Sequence, residues 1–234
     1  MSKKIYNWKR FWCPRGGRIN LSDGGFLSDP ESEHSHYYPQ DVIAFEKLVN
    51  IPCLVLLGEP GIGKTNELHK AVETNRDLLK LGDTQFYYDE LNQYSDETRF
   101  INNVFANPNF LEAKKKNSTY VIFLDSLDEC KIRIDTISEI LTAQLKRNHW
   151  SNLFFRITCR TAEWSNYLET ALNDIYCEQN VKYLELAPLT RADVVNAINE
   201  NSIEQQNFFN EIYLKGVQPL TIKPITLNFI IKLF

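Results

Sequence analysis

Apolar residues follow two patterns that alternate along the chain from about residue 50 to residue 187. Short runs in which most residues are apolar predict buried strands, because a strand covered on both faces of a sheet has no polar side. Five such runs lie at 54–57, 85–88, 120–124, 153–158 and 181–186. Between them apolar residues return every three or four positions, which predicts amphipathic helices, the first over 64–80. This alternation predicts an α/β fold with a parallel sheet of five strands.

Two of the expected helices carry a sequence signature for their first residue. Thr136 and Glu139 have the spacing of a capping box, and so do Thr190 and Asp193. In such a box each side chain accepts a hydrogen bond from the backbone N–H of the other residue. The two pairs therefore predict helices that begin directly after residues 136 and 190.

The alternation of strands and helices ends near residue 187, and the chain divides there into regions of different character. Residues 1–44 are rich in aromatic residues and glycine and have no long apolar period, so an irregular segment is expected. Residues 45–188 hold the alternating elements. Residues 189–234 show only helical periodicity, which predicts a small helical subdomain. Because the sequence stops on an apolar helix, we expect it to be a piece of a longer protein.

Composition and charge narrow the class of protein. The 234 residues include 26 Lys and Arg against 30 Asp and Glu, a net charge of −4, which disfavours nucleic acid as a partner. No apolar run approaches the roughly 20 residues that span a bilayer, and the N-terminus lacks the apolar core of a signal peptide, so no membrane association is expected. The cysteines have neither metal-binding nor disulfide spacing. A reduced, cytoplasmic, soluble protein is expected.

The most specific motif is a glycine-rich loop directly after the first predicted strand, which matches the phosphate-binding pattern G-x-x-x-x-G-K-[ST]. Its residues are Gly58, Glu59, Pro60, Gly61, Ile62, Gly63, Lys64 and Thr65. Glycines let successive backbone N–H groups face phosphate oxygens, and the following helix adds its positive end. Lys64 can reach the β- and γ-phosphates, Thr65 can ligate Mg²⁺, and Asn66 adjoins them. The alternative is a glycine-rich turn that has no ligand.

Acidic residues follow the strand at 120–124. Because ligands collect at the carboxyl ends of parallel strands, Asp125 is expected to hold a Mg²⁺ ion through water. Asp128 or Glu129 could then orient the attacking water molecule. Three carboxylates beside a phosphate loop would repel the phosphates unless a cation lay between them, which favours a metal site. The alternative is an acidic loop that only ends the strand.

The strand at 153–158 also ends in polar residues, Thr158 and, two positions later, Arg160. We expect one of them to lie beside the γ-phosphate, where an arginine can sense or stabilise the phosphate charge during hydrolysis. The alternative for Arg160 is a surface ion pair.

Together these segments resemble the NACHT-type branch of the STAND P-loop ATPases, which are signal-transducing switches of innate immunity and bacterial antiphage defence. The resemblance depends on the stretches GEPGIGKT, VIFLDSLDE and FFRITCR and covers about residues 45–234. In that branch the acidic strand is followed by Asp, a small residue, an apolar residue and Asp-Glu, here residues 125–129. The next strand is followed by Thr, a small residue and Arg, here residues 158–160.

The resemblance implies a three-layer P-loop NTPase fold that binds ATP or ADP with Mg²⁺ and hydrolyses ATP slowly as a regulatory switch. The strand at 85–88, inserted in sequence between the loop strand and the acidic strand, resembles the additional-strand class of these ATPases. The helical subdomain of the family holds a proline against the nucleotide base, here Pro219 or Pro224. The resemblance also implies homo-oligomerisation on activation and a protein or phage-derived trigger.

Two other functions use the same loop. A plain enzyme, such as a kinase or a DNA-acting ATPase, would need an acceptor site with a lid or nucleic-acid contacts, and the sequence has no arginine-rich lid segment. A nucleotide-dependent scaffold would hold ADP without turning ATP over. The presence of Lys64, Asp125, Asp128 and Glu129 favours retained hydrolysis over such a scaffold.

Overall fold

The computed structural model describes residues 6, 8–33, 35–37, 39–78 and 84–234. These residues belong to two compact units. The α/β unit comprises residues 46–59 and 64–185, and the terminal unit comprises residues 60–63, 186–234 and the described residues up to 45. The domain boundaries predicted after residues 44 and 188 stay a prediction.

The elements alternate as the sequence predicts. The strands are β1 (Phe11–Pro14), β2 (Ile43–Ala44), β3 (Cys53–Leu57), β4 (Gln85–Glu90), β5 (Tyr120–Asp125), β6 (Leu153–Cys159) and β7 (Val181–Leu186). The helices are α1 (Lys64–Leu78), α2 (Glu97–Phe105), α3 (Pro108–Lys116), α4 (Ile134–Asn148), α5 (Asn166–Tyr176), α6 (Arg191–Glu200), α7 (Gln205–Leu214) and α8 (Pro224–Ile231). Residues 79–80, expected at the end of the first helix, lie outside the described residues.

The chain has an α/β fold with a mostly parallel sheet and helices. In the α/β unit five parallel strands lie in the order β7-β3-β6-β5-β4. The strand between the loop strand β3 and the acidic strand β5 is therefore β6. By contrast β4, which separates β3 and β5 in sequence, lies on the outer side of β5. The carboxyl ends of β3, β6 and β5 are thus neighbours, and this order determines which side chains can meet there.

The sheet has seven strands rather than the predicted five. The additional strands β1 and β2 pair antiparallel, with Phe11 opposite Ala44. Both lie in the segment 1–44, which was predicted to be irregular. They are four and two residues long, too short for an apolar period to reveal them in the sequence.

One of the two predicted capping boxes is confirmed. At the start of α6 the Thr190 hydroxyl accepts the N–H of Asp193, whose carboxylate accepts the N–H of Thr190. The other is wrong, because α4 begins at Ile134, two residues before Thr136, and Arg133 at its N-cap makes no side-chain cap bond. The Thr-x-x-Glu spacing is also compatible with the first turn of a helix, so the spacing alone does not fix the start.

Each unit has its own core. All five residues of β3 are fully buried, as expected for a strand covered on both faces. In the terminal unit, Tyr6, Trp8 and Phe26 pack with buried residues of α6, α7 and α8. The rings of Tyr6 and Trp8 stack with their centroids 4.7 Å apart. The N-terminal segment and the C-terminal helices therefore share one apolar core. Among the described residues, no helix combines the length and the apolar character needed to cross a bilayer.

Candidate functional site

The phosphate-loop motif connects β3 to α1, and its conformation requires glycine. Gly61 and Gly63 have φ values of +75° and +107°, in the region that side-chain-bearing residues rarely adopt. A Cβ atom added at Gly61 would also lie 2.3 Å from Cγ2 of Ile225, within the terminal unit. Two glycines of the motif are thus explained by the backbone of the loop itself.

Lys64, the first residue of α1, turns its side chain back toward the start of the loop. Its Nζ donates to the carbonyl oxygens of Gly58 at 2.6 Å and Glu59 at 3.3 Å. Burial lowers the pKa of Lys64, and the charge of nearby Asp128 opposes this effect. A partly desolvated ammonium group gains from an anionic ligand, because the ligand replaces lost hydration. Beside it on α1, Thr65 is half-buried and Asn66 is exposed.

A buried hydroxyl joins the carboxyl ends of β5 and β6. Thr158, fully buried on β6, donates its hydroxyl hydrogen to the carboxylate of Asp125 and accepts the backbone N–H of Ser126 at 2.7 Å. Ser126 has φ +59°, a strained value for a residue with a side chain, and the bond to Thr158 holds it there. Asp125 is only 2% exposed. The hydroxyl of Thr158 therefore fixes the orientation of Asp125.

The structure gives different surroundings to the two acids that follow Asp125. The carboxylate of Asp128 accepts the backbone N–H of Arg160 at 2.9 Å, and its other oxygen lies 2.8 Å from Nε of Arg160. The side chain of Asp128 is 3% exposed, whereas that of Glu129 is 49% exposed. Glu129 approaches Arg160 only at 3.6 Å. Asp128 is therefore held firmly by Arg160, and Glu129 faces solvent.

The tip of the loop, residues 60–63, belongs to the terminal unit. The N–H of Ile225, on the first turn of α8, approaches the carbonyl oxygen of Gly61 at 3.4 Å. Pro224 lies beside the loop as well, with its Cγ 3.7 Å from where a Cβ of Gly63 would stand. Pro219, the alternative to Pro224, lies in the short turn Gln218–Leu220. Pro224 is therefore a neighbour of the phosphate loop.

The residues present suit an open Mg²⁺ site rather than a closed metal centre. Among the described residues, no group of three or more His, Cys, Asp or Glu side chains could hold a metal ion by itself. Mg²⁺ is usually held by one or two protein oxygens and completes its shell with phosphate and water. The carboxylate of Asp125 and the hydroxyl of Thr65 provide ligands of that kind.

Three contacts that the sequence did not predict shape this region. Ile225 packs on Gly61, Thr158 orients Asp125, and the buried Arg10 donates to the carbonyl oxygen of Ile62 at 3.0 Å. The polar end of the strand at 153–158 pointed to Thr158, although not to its partner. The sequence has no signal for Arg10, because 52 residues separate it from Ile62.

Comparisons with known proteins find similar solved structures, while no family model and no curated protein matches. One is the RuvB Holliday junction branch migration motor of Thermotoga maritima, with 14% identity over 67% of this chain and 45% of that chain, and a TM-score of 0.41. A second is the Aeropyrum pernix ORC1 protein in complex with DNA, with 14% identity over 67% and 47% of the two chains, and a TM-score of 0.47. A third is the ORC2 protein of the same organism in ADPNP–ADP complexes, with 13% identity over 81% and 55%, and a TM-score of 0.46.

The chain spans about half the length of these solved chains. At 13–14% identity the likeness concerns the fold. None of the three proteins described above is named as a NACHT-type STAND protein, so that assignment stays a prediction.

The expectation that nucleic acid is disfavoured as a partner was wrong. It depended on the net charge of −4. The similar structures, however, include one in complex with DNA and a Holliday junction motor. A net charge sums over the whole surface, whereas contacts with phosphate depend on local groups of cations. The charge of this chain therefore does not exclude nucleic acid.

Proposed function

We propose that this chain binds ATP or ADP together with Mg²⁺ and hydrolyses ATP slowly, as a regulatory nucleoside triphosphatase. The observation that carries the proposal is the order of three neighbouring parallel strands. The phosphate loop follows β3, Arg160 follows β6, and the acidic residues follow β5. Carboxyl ends of neighbouring parallel strands form the usual ligand crevice of such sheets.

The proposed nucleotide contacts use the loop and the start of α1. The backbone of residues 58–66 would surround the phosphates, and Lys64 would contact the β- and γ-phosphates. The hydroxyl of Thr65 and the carboxylate of Asp125 would hold the Mg²⁺ ion. When bound, the ion would neutralise negative charge on the phosphate oxygens.

We assign different roles to the two acids that the sequence left as alternatives, because their side chains differ in burial. A residue that orients water needs access to that water, and the half-exposed Glu129 has it. Asp128 is almost fully buried and accepts two contacts from Arg160. In this proposal Glu129 orients the attacking water, and Asp128 positions Arg160.

Arg160 would report the presence of the γ-phosphate. Its guanidinium group contacts both Asp128 and Glu129, and a γ-phosphate would compete for the same donors. ATP, unlike ADP, would therefore draw the guanidinium away from Glu129 and leave that carboxylate available to water. A site of this kind distinguishes the two nucleotides through one arginine.

The finer part of the proposal follows the family that the sequence resembles. The chain would be the nucleotide switch of a cytoplasmic NACHT-type STAND protein in defence signalling, activated by a protein or phage-derived trigger. Pro224 would contact the nucleotide base, and activation would include homo-oligomerisation. Light scattering of the protein with Mg²⁺–ADP and with Mg²⁺–ATP measures its oligomeric state. An identical mass in both nucleotide states would contradict homo-oligomerisation on activation.

Isothermal titration calorimetry with ATP, ADP and GTP in the presence of Mg²⁺ tests the central proposal. Lys64→Ala should weaken ATP and ADP binding at least tenfold, about 1.4 kcal/mol or more. Asp125→Ala should lower Mg²⁺-dependent hydrolysis. Hydrolysis is also measured with added double-stranded DNA, which would reveal a nucleic-acid-dependent ATPase instead. Unchanged affinity of Lys64→Ala would remove the phosphate-loop assignment.

A further inference from the structure

A buried arginine from the N-terminal segment contacts the phosphate loop from outside. Arg10 immediately precedes β1 and is 5% exposed. One terminal nitrogen of its guanidinium group donates to the carbonyl oxygen of Ile62 at 3.0 Å, and the other donates to that of Ala187 at 2.5 Å. All three residues belong to the terminal unit. One side chain thus links the loop to the residue that follows β7.

The contact with Ile62 bears on the group that would face phosphate. The carbonyl of Ile62 and the N–H of Gly63 are the two ends of one peptide unit. In a phosphate loop the N–H groups point to the ligand, so the carbonyl groups point away from it. A cation bound to the carbonyl oxygen fixes the plane of that peptide and strengthens its N–H as a donor. Glycine at position 63 accommodates this approach, because a Cβ there would lie 3.3 Å from Nη1 of Arg10.

Ala187, the second acceptor of Arg10, is held in place by a backbone hydrogen bond. The backbone N–H of Ala187 donates to the carbonyl oxygen of Phe11 at 2.9 Å, so Ala187 is bound to Arg10 and to the residue after it. Two carbonyl oxygens on separate segments need two donors at a fixed separation. The planar guanidinium group supplies two such donors in a rigid arrangement, whereas a lysine ammonium group is a single point charge.

We propose that Arg10 is a positioning residue of the nucleotide site, which holds the Ile62–Gly63 peptide with its N–H directed to the phosphates. The inference rests on the proposed nucleotide binding. It makes the N-terminal segment a part of the phosphate site, although the loop motif lies some fifty residues later in the sequence. The loop then depends on one arginine for its readiness to bind phosphate.

The chain offers a matched control in a second buried arginine. Arg156 is fully buried and donates to the carbonyl oxygens of Val49 and Pro52, both at 2.9 Å. Pro52 precedes β3, at the end opposite to the phosphate loop. Arg156→Lys and Arg10→Lys are therefore the same change in the same kind of surroundings, and only the second alters contacts of the loop.

The experiment compares wild type, Arg10→Lys, Arg10→Gln, Arg156→Lys and Lys64→Ala. Calorimetry measures ADP and pyrophosphate affinity at a temperature at which each variant is folded, and thermal melting without ligand measures stability. Both Arg10 variants should bind ADP and pyrophosphate about tenfold more weakly, the scale of one charged hydrogen bond. Arg156→Lys should melt earlier and bind ADP as wild type does. Equal affinity of wild type and Arg10→Lys for both ligands would overturn the proposal.

A measurement on the wild-type protein keeps the test valid if the Arg10 variants do not fold. Amide hydrogen exchange in β1 should slow when ADP binds, while exchange in α2 stays unchanged. Unchanged exchange in β1 would overturn the role of Arg10. Failure of the proposed function looks different. In that case ADP would not bind to the wild-type protein, or Lys64→Ala would bind ADP as tightly as wild type does.

Discussion

Replacing Asp128 with asparagine tests whether this carboxylate organises the site or performs the chemistry. One carboxylate oxygen accepts the N–H of Arg160, and the other lies 2.8 Å from its Nε. In Asp128→Asn the first bond can remain, but the amide nitrogen then meets Nε as donor against donor. A hydrogen bond to a charged partner contributes about 1.5–3 kcal/mol. Because Arg160 is 43% exposed and can turn to water, we expect a loss of about 1–2 kcal/mol in the free energy of unfolding.

Urea denaturation and thermal melting measure this loss, which corresponds to roughly 2–8 °C in melting temperature for a chain of this size. Glu129→Gln is the matched control, because it is the same change from acid to amide. Its 3.6 Å contact with Arg160 joins two half-exposed groups, and such pairs contribute about 0.2–1 kcal/mol. We therefore expect Glu129→Gln to unfold close to the urea concentration at which wild type unfolds.

ATP turnover separates the two roles further. Glu129→Gln should retain ATP binding and slow hydrolysis, since the residue that orients water is lost while the fold is kept. The positioning role of Asp128 is refuted if Asp128→Asn is as stable as wild type. It is also refuted if Glu129→Gln hydrolyses ATP at the wild-type rate and Asp128→Asn does not, since Asp128 would then orient the water.

Three further experiments test other parts of the structure. Thr158→Val removes the buried hydroxyl and leaves the Ser126 N–H without its acceptor, so the free energy of unfolding should fall by about 1–3 kcal/mol, while Thr158→Ser keeps both bonds. Equal stability of the two variants in urea would contradict the bridge between the strand ends. Arg160→Ala should reduce the difference between ATP and ADP affinity in calorimetry, and an unchanged ratio would contradict a contact with the γ-phosphate. Burial raises the pKa of Cys159 to about 12, so iodoacetamide at pH 8 should modify the exposed Cys177 first. Mass spectrometry of the digested protein measures the modification of each cysteine. Labelling of Cys159 as fast as that of Cys177 would show that β6 is not packed as described.

The strands β3 and β5 could be predicted because both of their faces are covered. β3 has no polar position, and this one property produces both its apolar run and its complete burial. The tight conformation of the phosphate loop could be predicted from its glycines for a related reason. The left-handed values of φ at Gly61 and Gly63 leave few other residue types, so a conformational requirement is visible as a residue type in the sequence.

The remaining features depend on contacts between residues that are distant in sequence. Nothing near Arg10 in the sequence indicates a partner 52 positions later. The strand order depends on which helix covers which face, so the sequence alone did not reveal β6 between β3 and β5. The choice between Asp128 and Glu129 likewise depends on burial, because the two residues are adjacent and of the same chemical type.

Contacts of the helical region with the nucleotide should be tested by substitution and not by truncation at Thr190. Tyr6, Trp8 and Phe26 are buried in a core shared with α6, α7 and α8. Exposing three aromatic side chains of about 150–250 Å² each would cost on the order of 10 kcal/mol, comparable to the whole stability of a typical domain. A truncated chain would therefore lose ADP binding through unfolding. Pro224→Ala avoids this, because alanine is also accepted at the start of a helix. If Pro224 contacts the base, this variant should bind ADP more weakly and pyrophosphate as wild type does, whereas an equal loss for both ligands would mean that the loop itself has moved.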